Sequence, residues 1–220
     1  MGRLIVLEGI DGSGKSTQFK MLCERLEEEK RTFQRLVFPQ YSEPSSALLR
    51  MYLAGEFGTD PESVNAYAAS TFFAVDRYAS YVKVWRDYYN EGGLVLADRY
   101  TTSNAIHQAS KITTEKRAEY LDWLYDFEFR LLELPRPDAV IYMDVPLSTA
   151  VSQMRRRETE TKTKSDIHEA DTKYLEVCRK CGLEAAELYG WHKIKCTEDG
   201  VMRPLQDIHE AVYSAVRNYL

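Results

Sequence analysis

An eight-residue segment near the start of the chain constrains its fold more than any other feature. Residues 9–16, Gly-Ile-Asp-Gly-Ser-Gly-Lys-Ser, match the pattern G-x-x-x-x-G-K-[ST] at every fixed position. A short apolar run at 4–7 precedes the segment, and residues 17–26 carry apolar side chains at helical intervals. A strand, a glycine-rich loop and a helix in this order predict a site where backbone N–H groups bind the phosphates of a nucleotide.

Side chains of this loop add specific contacts to the phosphates. We expect Lys15 to reach the β- and γ-phosphates, and the Ser16 hydroxyl to bind Mg²⁺. The predicted nucleotide-binding residues are Gly9, Ile10, Asp11, Gly12, Ser13, Gly14, Lys15, Ser16 and Thr17.

Length and charge narrow the class of protein. A chain of 220 residues suits one α/β domain with room for a small mobile insertion. The formal net charge of −5 and the pI near 5.5 give no general reason to bind a nucleic-acid polymer or an anionic membrane. No signal-type segment or membrane-length apolar run is evident, so we expect a cytoplasmic chain.

Four cysteines are too few for a disulfide scaffold. Cys178 and Cys181 form a C-x-x-C pair within a helical stretch, without the second pair that a zinc site of this kind needs. This arrangement favours buried free thiols over a metal site.

Apolar runs of strand length alternate with stretches of helical periodicity along the whole chain. Besides 4–7, strands are predicted at 32–38, 94–97, 139–143 and 191–196. Beyond the first helix, helices are predicted at 44–53, 62–90, 115–133, from 148 to 157, at about 167–188, and in a final segment from 205 to 220. This alternation predicts an α/β fold with a parallel sheet of about five strands and helices on both faces.

Charged residues mark two further functional segments. Asp98-Arg99-Tyr100 ends a buried strand, where open parallel sheets bind ligands. Arg155, Arg156 and Arg157 are followed up to Ser165 by residues without any apolar side chain. Such a segment cannot bury itself, which predicts an exposed and mobile lid at about 153–172.

Taken together, these motifs resemble those of the thymidylate kinase family, which transfers the γ-phosphate of ATP to dTMP. The likeness spans the chain, and any P-loop enzyme could share its phosphate loop. Its more specific parts are residues 7–17, Phe38-Pro39, Phe73 with Arg77, 98–100 through Ser103-Asn104, and 166–169. The resemblance implies one P-loop kinase domain over 1–220 that binds Mg²⁺ and ATP. It also implies a homodimer, for which the aromatic-rich helix at 62–90 is the candidate interface.

The resemblance assigns roles to residues that would bind the acceptor. It implies that Phe73 stacks on thymine, Arg77 reaches a base oxygen, and Asn104 reads the N3 edge with an amide that offers a donor and an acceptor. Arg99 matches the arginine on the acceptor phosphate, a task suited to its planar fork. The implied dTMP-binding residues are Asp11, Pro39, Tyr41, Phe73, Arg77, Arg99, Ser103, Asn104 and His107.

Carboxylates are implied to act near the sugar and the metal. Asp11 matches an acid near the acceptor 3′-hydroxyl, which a carboxylate can bind as acceptor. Asp98 could order the water shell of Mg²⁺ or orient Arg99, and the sequence leaves both open. The implied metal residues are Ser16, Asp98 through water, and Glu169.

Two positions depart from the family pattern. Some members carry a catalytic arginine directly after the loop aspartate, where this chain has Gly12. The catalytic positive charge is then expected from Arg155, Arg156 and Arg157 in the lid. The other residues that the resemblance implies to be catalytic are Lys15, Asp11 and Arg99. His107 replaces a common Tyr or Phe near the sugar, which leaves the strictness of deoxyribose selection open.

Two other functions stay open at this point. One is a kinase of another nucleoside monophosphate or of a deoxynucleoside, since the phosphate loop and a D-R strand end recur among such enzymes. The other is a P-loop switch protein that binds nucleotide for regulation, which predicts nucleotide-dependent partner binding with negligible phosphoryl transfer.

Overall fold

A five-stranded parallel sheet forms the centre of the computed structural model, which describes residues 1–161 and 171–220. The strands are β1 (Arg3–Glu8), β2 (Gln34–Val37), β3 (Leu94–Asp98), β4 (Ala139–Asp144) and β5 (His192–Lys195), in the spatial order β2-β3-β1-β4-β5. All four strand pairs are parallel, and Leu7 lies opposite both Asp98 and Ile141. The predicted fold class is confirmed. The strand order reverses beside β1, so the ends of β1 and β3 open into a crevice.

Nine α-helices surround the sheet in the described ranges. They are α1 (Lys15–Glu28), α2 (Ala47–Leu53), α3 (Ala66–Ser80), α4 (Arg86–Asn90), α5 (Thr101–His107), α6 (Thr114–Tyr125), α7 (Leu147–Thr161), α8 (Thr172–Leu188) and α9 (Leu205–Val216). Helix α1 packs against α9, and α8 packs against α5 and β4. Residues 4–7 of β1 are fully buried, as expected for a sheet covered on both faces.

The predicted helix over 62–90 begins later and is less regular than expected. Asp60 caps only a 3₁₀ turn, Pro61–Ser63, and Val64 is extended. The Asn65 side chain then accepts a hydrogen bond from the Ala68 N–H and starts α3. A π-helical turn at Tyr81–Trp85 separates α3 from α4.

Other elements differ from the sequence expectation at their ends. The helix expected at 115–133 is α6 followed by a π-helical turn at Asp126–Leu131. Helix α5 was not predicted, because seven mostly polar residues give little periodic signal. A small antiparallel hairpin, β6 (Thr197–Glu198) with β7 (Val201–Met202), was not predicted either.

Helix α7 continues beyond the arginine cluster as far as Thr161, so the first part of the expected lid is helical. Asp171 caps α8 by accepting from the N–H groups of Lys173 and Tyr174, which places the helix start after the predicted one at about 167. Lys162, Lys164 and Glu169 lie outside the described residues. The mobility of the lid therefore stays a prediction.

A second, smaller apolar cluster lies beside the main core. It joins Leu49, Tyr52 and Leu53 of α2 to Ala69 of α3, and Phe73 packs against it. Because this cluster is built from α2 and α3, it fixes the position of the Phe73 ring relative to the sheet.

The four cysteines carry buried free thiols, as the sequence favoured. Burial raises the pKa of Cys23 and of Cys181 to about 11, and that of Cys196 to about 12. In the described ranges, none of the helices is both long enough and apolar enough to cross a membrane.

Candidate active site

The glycine loop between β1 and α1 has the geometry that its motif predicts. Gly12 and Gly14 have φ values of +76° and +83°, in the left-handed region that glycine adopts at little cost. A β-carbon at Gly12 would lie 2.2 Å from the Ala150 carbonyl oxygen of α7. Helix α7 therefore leaves no room for an arginine at this position, which gives a physical reason for the departure from the family pattern.

A cavity of about 510 Å³, here the loop cavity, opens over the start of α1. It is lined by Asp11, Gly12, Ser13, Gly14, Lys15, Ser16, Thr17, Gln18, Met143, Gln153, Met154, Arg156, Arg157, Met202, Arg203, Leu205 and Ile208. Seven of the nine predicted nucleotide-binding residues are in this set. Gly9 packs closely against Ser13, and Ile10 is buried in the core, so these two shape the loop from behind.

A second cavity of about 230 Å³, here the Arg99 cavity, lies at the carboxyl ends of β2 and β3. It is lined by Asp11, Lys15, Ser16, Val37, Phe38, Pro39, Tyr41, Leu53, Phe73, Arg77, Asp98, Arg99, Tyr100, Ser103, Asn104, His107, Gln108 and Arg157. All nine residues that the resemblance assigned to the acceptor are in this set. Asp11, Lys15, Ser16 and Arg157 line both cavities, so the two adjoin.

Arg99 lines the Arg99 cavity next to Asp11, one of the residues that line both cavities. Its guanidinium forms an ion pair with Asp11, and its Nη1 lies 3.0 Å from His107 Nε2 and 3.4 Å from Ser103 Oγ. Because a guanidinium has no acceptor, His107 Nε2 must accept this hydrogen bond. His107 thus helps to position Arg99, a contact that the sequence did not indicate.

Several charges at this junction perturb one another. Burial alone would lower the pKa of Arg99, but the carboxylates of Asp11, Glu8 and Asp98 raise it overall. Burial, assisted by Arg99, lowers the pKa of Lys15, although Asp11 lies 3.6 Å from its Nζ and opposes this effect. The Arg99 charge is therefore firmly held, as a residue that binds phosphate requires.

Phe73, Arg77 and Asn104 line one part of the Arg99 cavity, here called the slot. The Phe73 ring is half-buried and stands at 89° to the Tyr52 ring, with their centroids 6.3 Å apart. Arg77 and Asn104 are both buried and line the slot from α3 and α5. The slot thus offers one apolar wall together with a guanidinium and an amide.

Three further polar residues at the site were not predicted. Glu8 is fully buried and accepts hydrogen bonds from Thr102 and Ser103 and from the Tyr100 N–H, and burial raises its pKa. Glu128, also fully buried, pairs with Arg77. For Glu8, an acid ending an otherwise apolar strand was an available signal, whereas the role of Glu128 depends on a contact between residues 51 positions apart.

Gln108 is the third of these residues. It is fully buried, it lines the Arg99 cavity, and neither polar atom of its side-chain amide has a hydrogen-bond partner in the described part of the chain. Since buried amides are normally hydrogen-bonded, these atoms are available to a ligand.

The three lid arginines occupy different positions on α7. Arg157 lines both cavities, and Arg156 lines the loop cavity. Arg155 is exposed and is in neither set of lining residues. The geometry thus separates residues that the sequence could only group.

The residues at the junction fit a Mg²⁺ ion. Ser16 lines both cavities, and Asp98 is buried with its Oδ1 lacking a hydrogen-bond partner in the described ranges. Mg²⁺ prefers oxygen ligands, keeps several waters, and takes further ligands from phosphates. Arg99 pairs with Asp11, which leaves the Asp98 oxygen free to bind a metal-bound water.

Comparison with known proteins agrees with this geometry. Residues 7–208 match the family model described as thymidylate kinase. A thymidylate kinase of Mycobacterium tuberculosis is 32% identical over 192 residues, covering 86% of this chain and 87% of the relative. A probable thymidylate kinase of Pyrococcus horikoshii is 31% identical over 222 residues, covering 100% of this chain and 98% of the relative.

A solved structure shares the fold. The thymidylate kinase from Candida albicans superposes with a TM-score of 0.73 at 20% identity, covering 99% of this chain and 92% of that chain. With a family model that matches residues 7–208 and relatives that are 31% and 32% identical, this chain belongs to the thymidylate kinase family and is a kinase.

Proposed function

We propose that this chain transfers the γ-phosphate of ATP to dTMP, giving ADP and dTDP, and so acts in the synthesis of dTTP. One observation carries the proposal: the nine residues assigned to the acceptor line a single cavity that adjoins the cavity over the phosphate loop. A donor in the loop cavity and an acceptor in the Arg99 cavity would lie end to end.

The acceptor phosphate has to be bound and positioned, and it does not need a general base. Its oxygens are already nucleophilic at neutral pH, so the protein contributes by positioning and by stabilising charge. Arg99 presents its planar fork to this phosphate, while Asp11 and His107 hold the guanidinium. Tyr41, at the exposed mouth of the cavity, adds one hydrogen-bond donor.

The donor phosphates are held by the loop. Backbone N–H groups of residues 12–16 and the start of α1 surround them, and Lys15 contacts the β- and γ-phosphates. Mg²⁺ would be held by Ser16 and, through water, by Asp98, and when bound it neutralises charge on the phosphates. Glu169 stays a further candidate outside the described residues.

The lid supplies the remaining positive charge. We propose that α7 and the segment after it form a lid over about 153–172, which brings Arg157 and Arg156 to the transferred phosphoryl group. Its closure excludes water, which otherwise competes with dTMP as acceptor.

The base lies in the slot beside Phe73. Its ring stacks on the Phe73 face, Arg77 donates to a base oxygen, and Asn104 contacts the N3 edge. Gln108 offers the slot an additional amide with free polar atoms. Ser103, Asp11 and His107 lie nearer the sugar and phosphate, with Ser103 held by Glu8.

We also propose a homodimer and a reducing compartment such as the cytoplasm. Val75, Tyr78 and Val82 leave an apolar stripe exposed on α3 and the turn after it, which a second copy could cover. The four free thiols suit a reducing compartment.

Steady-state turnover tests the proposed reaction. We expect ADP release with ATP to depend on the acceptor, with dTMP used best, dUMP less well, and UMP, CMP and AMP poorly. Preferred use of another monophosphate or of a deoxynucleoside would support the alternative that the chain is a kinase of that substrate. Nucleotide binding without transfer to any acceptor would instead support the switch protein, and either result contradicts the proposal.

A further inference from the structure

We propose that Glu128 is a positioning residue that sets base selectivity, because it fixes the hydrogen-bonding pattern that Arg77 and Asn104 present to the base. This inference rests on the proposed function and deepens it. Glu128 lies in the π-helical turn after α6 and is not among the residues that line either cavity.

The Glu128 carboxylate joins both residues that read the base. Its Oε2 accepts from Arg77 Nε at 2.7 Å and from Thr101 Oγ1 at 2.7 Å. Its Oε1 accepts from Arg77 Nη2 and, at 3.4 Å, from Asn104 Nδ2. Glu128 is 0% exposed and Arg77 is 2% exposed, so water does not compete for these contacts.

Glu128 fixes the direction of the Asn104 amide. One Nδ2 hydrogen goes to Glu128 Oε1, and the other goes to the Ser70 carbonyl oxygen at 3.4 Å. Both partners only accept hydrogen bonds, so the amide cannot rotate by 180° without placing its oxygen against them. Oδ1 is then the one polar atom of Asn104 left for the slot, and it can only accept.

Glu128 fixes the Arg77 guanidinium in the same way. Of the five N–H donors of a guanidinium, two go to Glu128 and one contacts the Tyr100 carbonyl oxygen at 3.4 Å. The remaining donors are the ones that the slot can use. The slot therefore presents an acceptor from Asn104 beside a donor from Arg77.

This pattern matches one kind of pyrimidine. Thymine and uracil carry an N3–H donor beside the O4 acceptor, whereas cytosine carries an N3 acceptor beside an N4 amino donor. A cytosine base would place acceptor against Asn104 Oδ1 and donor against Arg77. Gln108 can rotate to suit either base because its amide has no partner in the described ranges, so discrimination falls to the pair that Glu128 holds.

The test compares dTMP with 5-methyl-dCMP, which keeps the methyl group and sugar and changes only the base edge. The variant is Glu128→Gln, because an amide keeps the size but cannot accept from Arg77 through both of its polar atoms. We expect kcat/KM for dTMP over that for 5-methyl-dCMP to fall at least about tenfold, mainly through the KM for dTMP, with the KM for ATP unchanged.

Asp76→Asn is the matched control. Asp76 is a buried acid on the same helix as Arg77, but it bonds to the Gln40 N–H and to Ser45 instead of facing the slot. We expect this variant to keep the wild-type ratio whatever its stability. An unchanged ratio in a folded Glu128→Gln protein overturns the inference, whereas a wild-type chain that does not phosphorylate dTMP overturns the proposed function.

A measurement on the wild-type protein covers the case in which Glu128→Gln does not fold. In NMR spectra of protein with ¹⁵N-labelled asparagine, the Nδ2 protons of Asn104 should stay close to Ser70 with and without dTMP. Contacts from these protons to the pyrimidine ring, with loss of those to Ser70, would show that the amide is not fixed and would overturn the inference.

Discussion

Arg157 lies in the last turns of α7 and lines both cavities, whereas Arg156 lines only the loop cavity and Arg155 lines neither. A guanidinium at this position can contact the phosphoryl group during its transfer between the two cavities. It can then stabilise the negative charge of the transition state. Gly12 offers no such charge, and its contact with α7 excludes a larger side chain. Both observations support the proposal that arginines of α7 supply the catalytic positive charge.

We expect Arg157→Ala to lower turnover by about 10³-fold, the loss typical when a charge-stabilising arginine is removed. The measurement is kcat with ATP and dTMP at saturation. Arg155→Ala is the control, because Arg155 is exposed and lines neither cavity, and it should stay close to wild type. Near-normal turnover for each single change and for the triple change of residues 155–157 would contradict the proposed lid.

The nine residues assigned to the acceptor, which line the Arg99 cavity, could be predicted from the sequence, whereas Glu128 and Gln108 could not. Arg99, Phe73 and Asn104 lie in motifs whose spacing resembles the family pattern. Glu128 lies among ordinary helical residues, and only the folded chain brings it to Arg77, 51 positions away. Gln108 follows His107 directly, but its availability depends on burial without a partner, which no sequence pattern reports.

Among the helices, α3 has an apolar face that could either pack in the core or remain exposed. The sequence predicts an apolar stripe along this helix, and packing against the core was the simpler interpretation of most of that stripe. Phe73 packs against the second, smaller apolar cluster formed by α2 and Ala69, but Val75, Tyr78 and Val82 remain exposed. These three residues recur at spacings of three and four, so they share one face.

We expect the chain to sediment as a dimer, at twice its mass of 25.5 kDa, with this face buried between the copies. Val75→Glu should give a monomer, because two buried carboxylates would face each other across the symmetric contact. Sedimentation equilibrium measures this directly. Leu188→Glu should remain a dimer, because Leu188 is an exposed apolar residue at the end of α8, away from this face. A dimeric Val75→Glu would place the interface elsewhere.

The strands and long helices were predicted well because their hydrophobic periodicity is strong. The errors lie at helix starts, whose positions are set by local hydrogen bonds. Asn65 and Asp171 start α3 and α8 later than the apolar pattern indicated. Helix α5 was missed, although it carries Ser103, Asn104 and His107, since it is short and only Ala105 and Ile106 of its seven residues pack in the apolar core.

In the whole molecule, the central sheet places the phosphate loop and Arg99 next to each other. Neighbouring strands β1 and β3 end at Glu8 and Asp98, directly before the phosphate loop and Arg99. Parallel strands in register therefore place the phosphate loop beside Arg99, although the two segments are far apart in the sequence. The adjoining cavities follow from this topology.

The most direct test of this arrangement is calorimetric binding of one molecule in which adenosine and thymidine are linked through their 5′ positions by a chain of phosphates. If donor and acceptor bind end to end, it should bind with one molecule per chain and at least about 10²-fold more tightly than ATP or dTMP alone. Binding no tighter than that of ATP, or ATP and the linked compound occupying the protein together, would contradict the account.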